Sequence, residues 1–91
     1  MMKLLAILPG LALLLAPSSL SAGDEVEIPL TDVPEVVLAA ALDAMPGIEL
    51  TEAEFEMERG QRIYELEGRL DGVEYEIEVS SAGEVIEVEE D

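Results

Sequence analysis

The stretch from Arg62 to Val79, RIYELEGRLDGVEYEIEV, largely alternates apolar with charged residues on both sides of the pair Asp71-Gly72. A period of two is the pattern of a β-strand with one buried face, and Asp-Gly between two such runs is a strong signal for a two-residue hairpin turn. Successive side chains of a strand point to opposite faces. The stretch therefore predicts an antiparallel hairpin with one apolar face and one acidic face.

The same pattern continues on both sides of this hairpin. Residues 52–58 alternate in the same way and end in a predicted turn at 59–61. A final run follows a Ser-Ser-Ala-Gly turn and places Ile86 and Val88 on one side, with Val85 on the opposite side. Turns this short join antiparallel neighbours. The sequence therefore predicts four strands in an antiparallel meander.

A helix is predicted before the strands. Asp32 and Glu35 have the spacing of a capping box, and Pro34 falls in the first turn, where its missing N–H costs nothing. The body, VVLAAALDAM, is rich in strong helix formers, and Pro46-Gly47 ends it. It is apolar over more than one stripe, so we expect some of its apolar side chains to lie outside the core.

The predicted fold class is α+β, with one N-terminal helix packed on one face of the four-stranded antiparallel β-meander. Residues 32–91 form the folded domain in this interpretation. Residues 23–31 are a lead-in or a short extra edge strand, because Pro29 cannot donate a hydrogen bond within a sheet.

Residues 1–22 have the layout of a cleaved signal peptide. Lys3 precedes an apolar core from Leu4 to Ala16, and small residues follow, which places cleavage after Ser21 or Ala22. The alternative is a retained membrane anchor, but the core is shorter than the roughly 20 residues that a spanning helix needs. We therefore expect a periplasmic or secreted protein with no stable membrane anchor after cleavage.

Composition excludes several classes of function. The segment after residue 22 carries all 22 acidic residues of the chain against three arginines, which leaves a formal charge of −19 and argues against nucleic acid as a partner. The chain has no histidine and no cysteine, so thiol chemistry, imidazole catalysis and the usual zinc ligands are excluded. Carboxylates on a sheet face without a cleft lack the pocket that acid–base catalysis needs. We expect no enzymatic activity and no cofactor.

The acidic face of the predicted sheet has two interpretations. Its members are Glu52, Glu54, Glu56, Glu58, Glu65, Glu67, Glu74, Glu76, Glu78, Glu87 and Glu89. The first interpretation is a solvated surface that keeps the protein soluble. The second is loose binding of calcium by carboxylate oxygens, although the sequence contains no loop of the EF-hand type. The candidate ligands for calcium are Glu54, Glu56, Glu65, Glu67, Glu74, Glu76 and Glu78.

The helix supplies the candidate residues for binding a partner. Leu38, Leu42 and Met45 are predicted to contact a protein or peptide, because not every apolar residue of the helix can face the sheet. The alternative is that the lead-in folds over this flank of the helix. Tyr64 and Tyr75 are predicted to be core residues with their hydroxyls at the edge.

Three stretches of the sequence resemble the small exported PepSY-like domains, which are related in fold to beta-lactamase-inhibitor proteins and to metallopeptidase propeptides. They are LTDVPEVVLAAALDAMPGIEL (30–50), RIYELEGRLDGVEYEIEV (62–79) and SSAGEVIEVEED (80–91). The resemblance implies a helix on an antiparallel sheet, export, and binding of a protein or peptide, including an inhibitor-like role against a peptidase. It supplies no catalytic motif. The alternatives are a calcium-buffering protein and a structural protein whose acidic face only confers solubility.

Overall fold

One helix and five strands make up residues 24–91, the part of the chain that the computed structural model describes. In chain order the elements are β1 (Val26–Ile28), a 3-10 helix (Leu30–Asp32), α1 (Glu35–Ala44), β2 (Glu49–Glu58), β3 (Gln61–Leu70), β4 (Val73–Ser80) and β5 (Val85–Glu90). The strands form one antiparallel sheet in the order β1-β2-β3-β4-β5. The predicted α+β class is confirmed, and the predicted extra edge strand is β1. The predicted signal peptide, residues 1–22, lies outside the described residues.

Two tight turns fix the register of the three long strands. Arg59-Gly60 joins β2 to β3 with φ angles of 53° and 80°, and Asp71-Gly72 joins β3 to β4 with 54° and 80°. Positive φ at both central residues is the signature of the hairpin turn whose twist matches that of the flanking strands. Both positions were predicted as turns from the sequence.

The register separates the two faces of the sheet as the alternation predicts. Ala53 lies opposite Leu66, and Leu66 lies opposite Ile77, so apolar side chains meet across three strands. One residue along, Glu54 lies opposite Glu65. Because paired residues of adjacent strands point to the same face, one face becomes apolar and the other becomes acidic.

The start of the helix differs from the prediction. The α-helix begins at Glu35 with Pro34 as its N-cap, and no side chain caps it. Asp32 instead ends the short 3-10 helix, so the predicted capping box does not form. The reason is local sterics: a residue before proline is held in the extended region, and Val33 has ψ 131°. The helix therefore begins only after the proline.

The hydrophobic core lies between the helix and the sheet. Its buried members are Val33, Val37, Ala41, Ile48, Ala53, Tyr64, Leu66, Ile77 and Val79. No polar or charged side chain within residues 24–91 is fully buried, although several glutamates of the outer face are half-buried. Tyr64 is a core residue as predicted, and Tyr75 is half-buried against the core. Residues 24–91 thus contain a complete core.

Their helices are too short or too polar to cross a membrane.

The last strand contains an irregularity that the alternation did not predict. Glu78 pairs with Glu87, but the next residue, Val79, pairs with Val85, which leaves Ile86 as an extra residue. This is a β-bulge, and it returns Val85 to the helix side of the sheet. The prediction that Val85 lies on the side opposite Ile86 is therefore wrong.

Candidate functional site

Two rows of directly opposed glutamates cross the outer face of the sheet. The first row is Glu52, Glu67, Glu76 and Glu89, and the second row is Glu27, Glu54, Glu65, Glu78 and Glu87. Neighbouring strands are about 4.8 Å apart, so each carboxylate inside a row has a glutamate on both sides, and each carboxylate at the end of a row has one on a single side. The acidic face predicted from the sequence is therefore present, and its glutamates are aligned in rows across the strands, which the sequence alone did not indicate.

Glu65, at the centre of the second row, keeps its proton. Burial raises the pKa of Glu65 to about 9, and a hydrogen bond to the Glu76 side chain, the charge of Glu76 and the charge of Glu25 act in the same direction. Glu65 is therefore protonated at neutral pH and shares its proton with a neighbouring carboxylate.

The carboxyls around Glu65 are affected in the same way. Burial raises the pKa of Glu54 to about 7, assisted by a hydrogen bond and charge from Glu25. Burial is also the first cause that raises the pKa of Glu56, Glu67 and Glu78, and neighbouring carboxylates add to it. Packing of side chains on this face thus holds protons that isolated glutamates would have lost, and the folded protein is less negative than its formal charge.

Two groups of carboxylates are close enough to share a cation. Oxygens of Glu25, Glu54 and Glu65 lie within 4.8 Å of one another, and so do those of Glu56, Glu65 and Glu78. Carboxylate oxygens suit hard cations such as calcium. Both groups depend on Glu65, so a cation at either place must first displace its proton.

The remaining predicted calcium ligands lie elsewhere on the face. Glu67 and Glu76 sit opposite each other in the first row, outside both groups. Glu74 is bound instead by Arg69, whose Nη1 donates to its Oε2 over 2.7 Å. The structure therefore brings together only part of the predicted set.

The predicted partner-binding residues occupy one flank of α1. Leu42 is exposed, whereas Leu38 and Met45 are half-buried and pack against the core. The lead-in contributes Ile28 and Leu30 to the same core, but it leaves Leu42 uncovered. This flank thus offers one exposed residue, Leu42, rather than the three that were predicted.

A larger apolar surface, missed by the sequence reasoning, lies at the other side of the helix. It consists of Val36, Val85, Ile86 and Val88, which we call the edge strip and which are between 42 and 52 % exposed. Val36 sits against Gly83, where an added Cβ would lie 2.6 Å from its Cγ2, and this contact joins the helix to the start of β5. The strip lies at the border of the sheet, because β5 is the last strand in the sheet order and has a neighbouring strand on one side only.

The backbone of β5 is also open on its outer side. Asp91 N donates to Glu74 O over 2.9 Å, so this opposed pair is the hydrogen-bonded kind. Hydrogen-bonded and non-bonded pairs alternate in an antiparallel ladder. Glu89 therefore directs its backbone groups toward β4, whereas Val88 and Glu90 direct theirs away from the sheet. β5 is the last strand in the sheet order, so no strand within residues 24–91 covers this edge.

Comparison with known proteins identifies one family. Residues 34–89 match the PepSY family model, described as a peptidase propeptide and YPEB domain. The match runs from the N-cap of α1 into β5 and covers more than half of the chain. Among curated proteins and among solved structures, nothing matches.

Proposed function

This chain belongs to the PepSY domain family, and from that premise we propose that it is an exported, non-catalytic module that binds a protein or a peptide. PepSY domains are typically non-catalytic and typically extracellular. The family description names a peptidase propeptide, so a peptidase is the first candidate partner and an inhibitor-like role the first candidate outcome.

The observation that carries this proposal is the edge strip. Adjacent exposed apolar groups on a small protein are characteristic of interaction surfaces. Elsewhere on the helix side of the sheet, Val26 and Met57 are 46 and 38 % exposed but lie on different strands, and the Arg62 guanidinium covers the Phe55 ring, 3.9 Å from its centre. The two sheet edges differ as well. β1 has three residues and is followed by Pro29, two features that protect an edge, whereas β5 has six residues and no proline.

The test is capture of a partner on immobilised protein. Residues 24–91 are coupled to a resin and exposed to an extracytoplasmic extract over a range of salt concentrations. The matched control is the double variant Ile86→Thr and Val88→Thr, which keeps the charge and the β propensity of the strand. We expect a protein that is retained by the natural sequence and lost from the control. Equal retention by both, at every salt concentration, would contradict the proposal.

Export is tested separately. The full chain is expressed in a bacterial host with a periplasm, and the intact mass of the protein is measured in each compartment. We expect an extracytoplasmic product that lacks residues 1–21 or 1–22. A cytoplasmic product of full length would contradict export while leaving the binding proposal open to the capture test.

The two carboxylate groups favour a second candidate function, loose binding of calcium. Because both contain the protonated Glu65, calcium binding at neutral pH would release a proton. The melting temperature is measured against calcium, with sodium chloride adjusted to keep the ionic strength constant. A saturable rise that is reduced in Glu65→Gln would support this function. Dependence on ionic strength alone would leave the acidic face as a solubilising surface.

A further inference from the structure

We propose that β5 binds an extended polypeptide segment by strand addition, and that the segment alternates basic residues with apolar ones. The inference rests on the proposed function, because it gives the chemistry of the partner at the edge strip. It is carried by three features of one strand: its open backbone, its two chemically different faces and its charge.

The backbone supplies the first part of the argument. Val88 and Glu90 direct their N–H and C=O groups away from β4, as the alternation from the Asp91–Glu74 bond requires. An added strand satisfies such groups and extends the sheet. β5 is a suitable template because it is six residues long and has neither proline nor lysine.

The two faces of β5 supply the second part. On the outer face, Glu87 and Glu89 end the two carboxylate rows, so an added strand meets them with every second side chain. On the helix face, Ile86 and Val88 are 52 and 43 % exposed. Directly opposite side chains in neighbouring strands have Cβ atoms about 4.5–5.5 Å apart, close enough for ion pairs on one face and apolar contacts on the other. Lysine or arginine alternating with an aliphatic residue fits both faces at once.

Charge excludes a second copy of this chain as the occupant. Pairing of β5 with β5 would extend the carboxylate rows with more carboxylates, and each copy carries three arginines against 22 acidic residues. With a basic segment both interactions become favourable: its side chains attract the carboxylates at the ends of the rows, and its net charge is opposite to that of the protein. It places positive charge at the end of rows in which the glutamates have no cation on that side within the described sheet.

The experiment uses residues 24–91 and a labelled nine-residue peptide in which lysine and valine alternate, with binding measured by fluorescence anisotropy. The first control peptide has the same composition with the lysines and valines in two blocks, which preserves charge and removes the alternation. We expect the alternating peptide to bind at least ten-fold more tightly than the block peptide. Equal affinities would mean that only charge attracts the peptide, and would overturn the proposal.

Two N-methylated peptides test the backbone pairing. One carries methyl groups on the valine amides and the other on the lysine amides, so each removes one alternating set of donors. In an antiparallel addition, residues opposite Val88 bond to β5 and are valines. We therefore expect valine methylation to abolish binding and lysine methylation to preserve it; the reverse result indicates a parallel addition and also supports the proposal. Retention of binding by both methylated peptides would overturn it.

Protein variants locate the site. Val88→Thr replaces a methyl group on the apolar face by a hydroxyl group without disturbing the backbone hydrogen bonds of the sheet. It should weaken binding of the alternating peptide about ten-fold. Val26→Thr, on β1 at the other edge of the sheet, is the matched control, because Val26 is 46 % exposed, and it should leave the affinity unchanged. Equal effects of the two substitutions, with melting temperatures confirming that both variants fold, would place the peptide elsewhere. A further outcome separates this inference from the proposed function. If no peptide binds, but the protein captured from the extract is retained by the natural sequence and not by the variant with Ile86→Thr and Val88→Thr, strand addition is wrong and the proposed function stands.

Discussion

The two faces of the sheet are built on the same backbone with the same register, yet they contribute to stability with opposite signs. On the helix face, Leu66 packs between Ala53 and Ile77, and all three are at most 1 % exposed. One residue along, Glu65 lies between two other glutamates. Close spacing is favourable for methyl groups and unfavourable for carboxylates. Because one register sets both faces, the sheet cannot improve its core pairing without also aligning its acidic residues.

The largest effect is expected from breaking the apolar face. Leu66→Ala removes a fully buried side chain from the centre of the sheet, where the neighbours on both strands are fixed by the ladder. We expect a loss of about 2–5 kcal/mol in the free energy of unfolding, measured by urea denaturation. The matched control is Glu67→Gln, on the next residue and the other face, for which we expect a change of less than about 1 kcal/mol. Similar losses for both variants would contradict the comparison.

A smaller effect is expected from overfilling the same face. A Cβ added at Gly68 would lie 2.6 Å from the backbone oxygen of Glu49 and 2.9 Å from Cγ1 of Ile48. Because one of these contacts is backbone, the strands must move apart. We expect Gly68→Ala to lower the free energy of unfolding by about 1–3 kcal/mol in the same urea assay. Ser81→Ala, in an exposed turn, is the control and should change it by less than about 0.5 kcal/mol.

The acidic face should make the protein more stable in mild acid. A folded-state pKa above the unfolded value means that the folded protein binds more protons, so stability is greatest below the unfolded pKa and falls as pH rises through the folded one. For Glu65 this window runs from the ordinary glutamate pKa of 4.5 to about 9, and for Glu54 from 4.5 to about 7. We expect the melting temperature to rise steadily as pH is lowered from 9 to 5.

Glu65→Gln separates this effect from a general one. The substitution removes the group with the highest raised pKa, so the dependence of melting temperature on pH should become flatter between pH 7 and 9. Asp43→Asn, on the exposed side of the helix, is the control and should leave the slope unchanged. A melting temperature that falls from pH 7 to 5 in the natural sequence would show that favourable pairing with arginines outweighs repulsion.

The smallest effect is expected from removing the arginine that pairs with a glutamate of the acidic face. Arg69 and Glu74 form an ion pair at 2.7 Å, but their side chains are 51 and 57 % exposed. Water and salt screen such pairs, so Arg69→Gln should lower the free energy of unfolding by less than about 1 kcal/mol. Urea denaturation at low and high salt measures it. A loss as large as that of Leu66→Ala would mean that the pair, rather than the core, fixes the β3–β4 hairpin.

Local patterns were sufficient to predict most of the fold. Alternation assigned the faces of β2, β3 and β4, and the glycines at 60 and 72 marked the two hairpin turns. The start of the helix was wrong because two local rules competed, and the restriction that Pro34 places on Val33 outweighed the capping-box spacing. The bulge at Ile86 was missed because the extra residue is visible only in the pairing with β4.

The candidate site was less predictable because it depends on which side chains the helix and the neighbouring strands cover in the folded protein. Alternation predicts that Val88 faces the helix side, but the position of the helix over the sheet decides whether that side chain is buried. The same limit applies to the acidic face. The spacing of glutamates predicted repulsion, whereas the proton held by Glu65 depends on burial and on a contact with Glu76 that only the folded structure provides.

The order of the strands in the sheet, which follows their order along the chain, has a consequence for how the protein folds. Every strand pairs with its neighbour in sequence, and two of the connections contain only two residues, so the β2–β3 and β3–β4 hairpins can close early and quickly. The helix precedes these hairpins but contacts β4 and β5, some forty residues later in the chain. We expect its docking to be the slow step of folding, because the long loop must be closed before this contact is made.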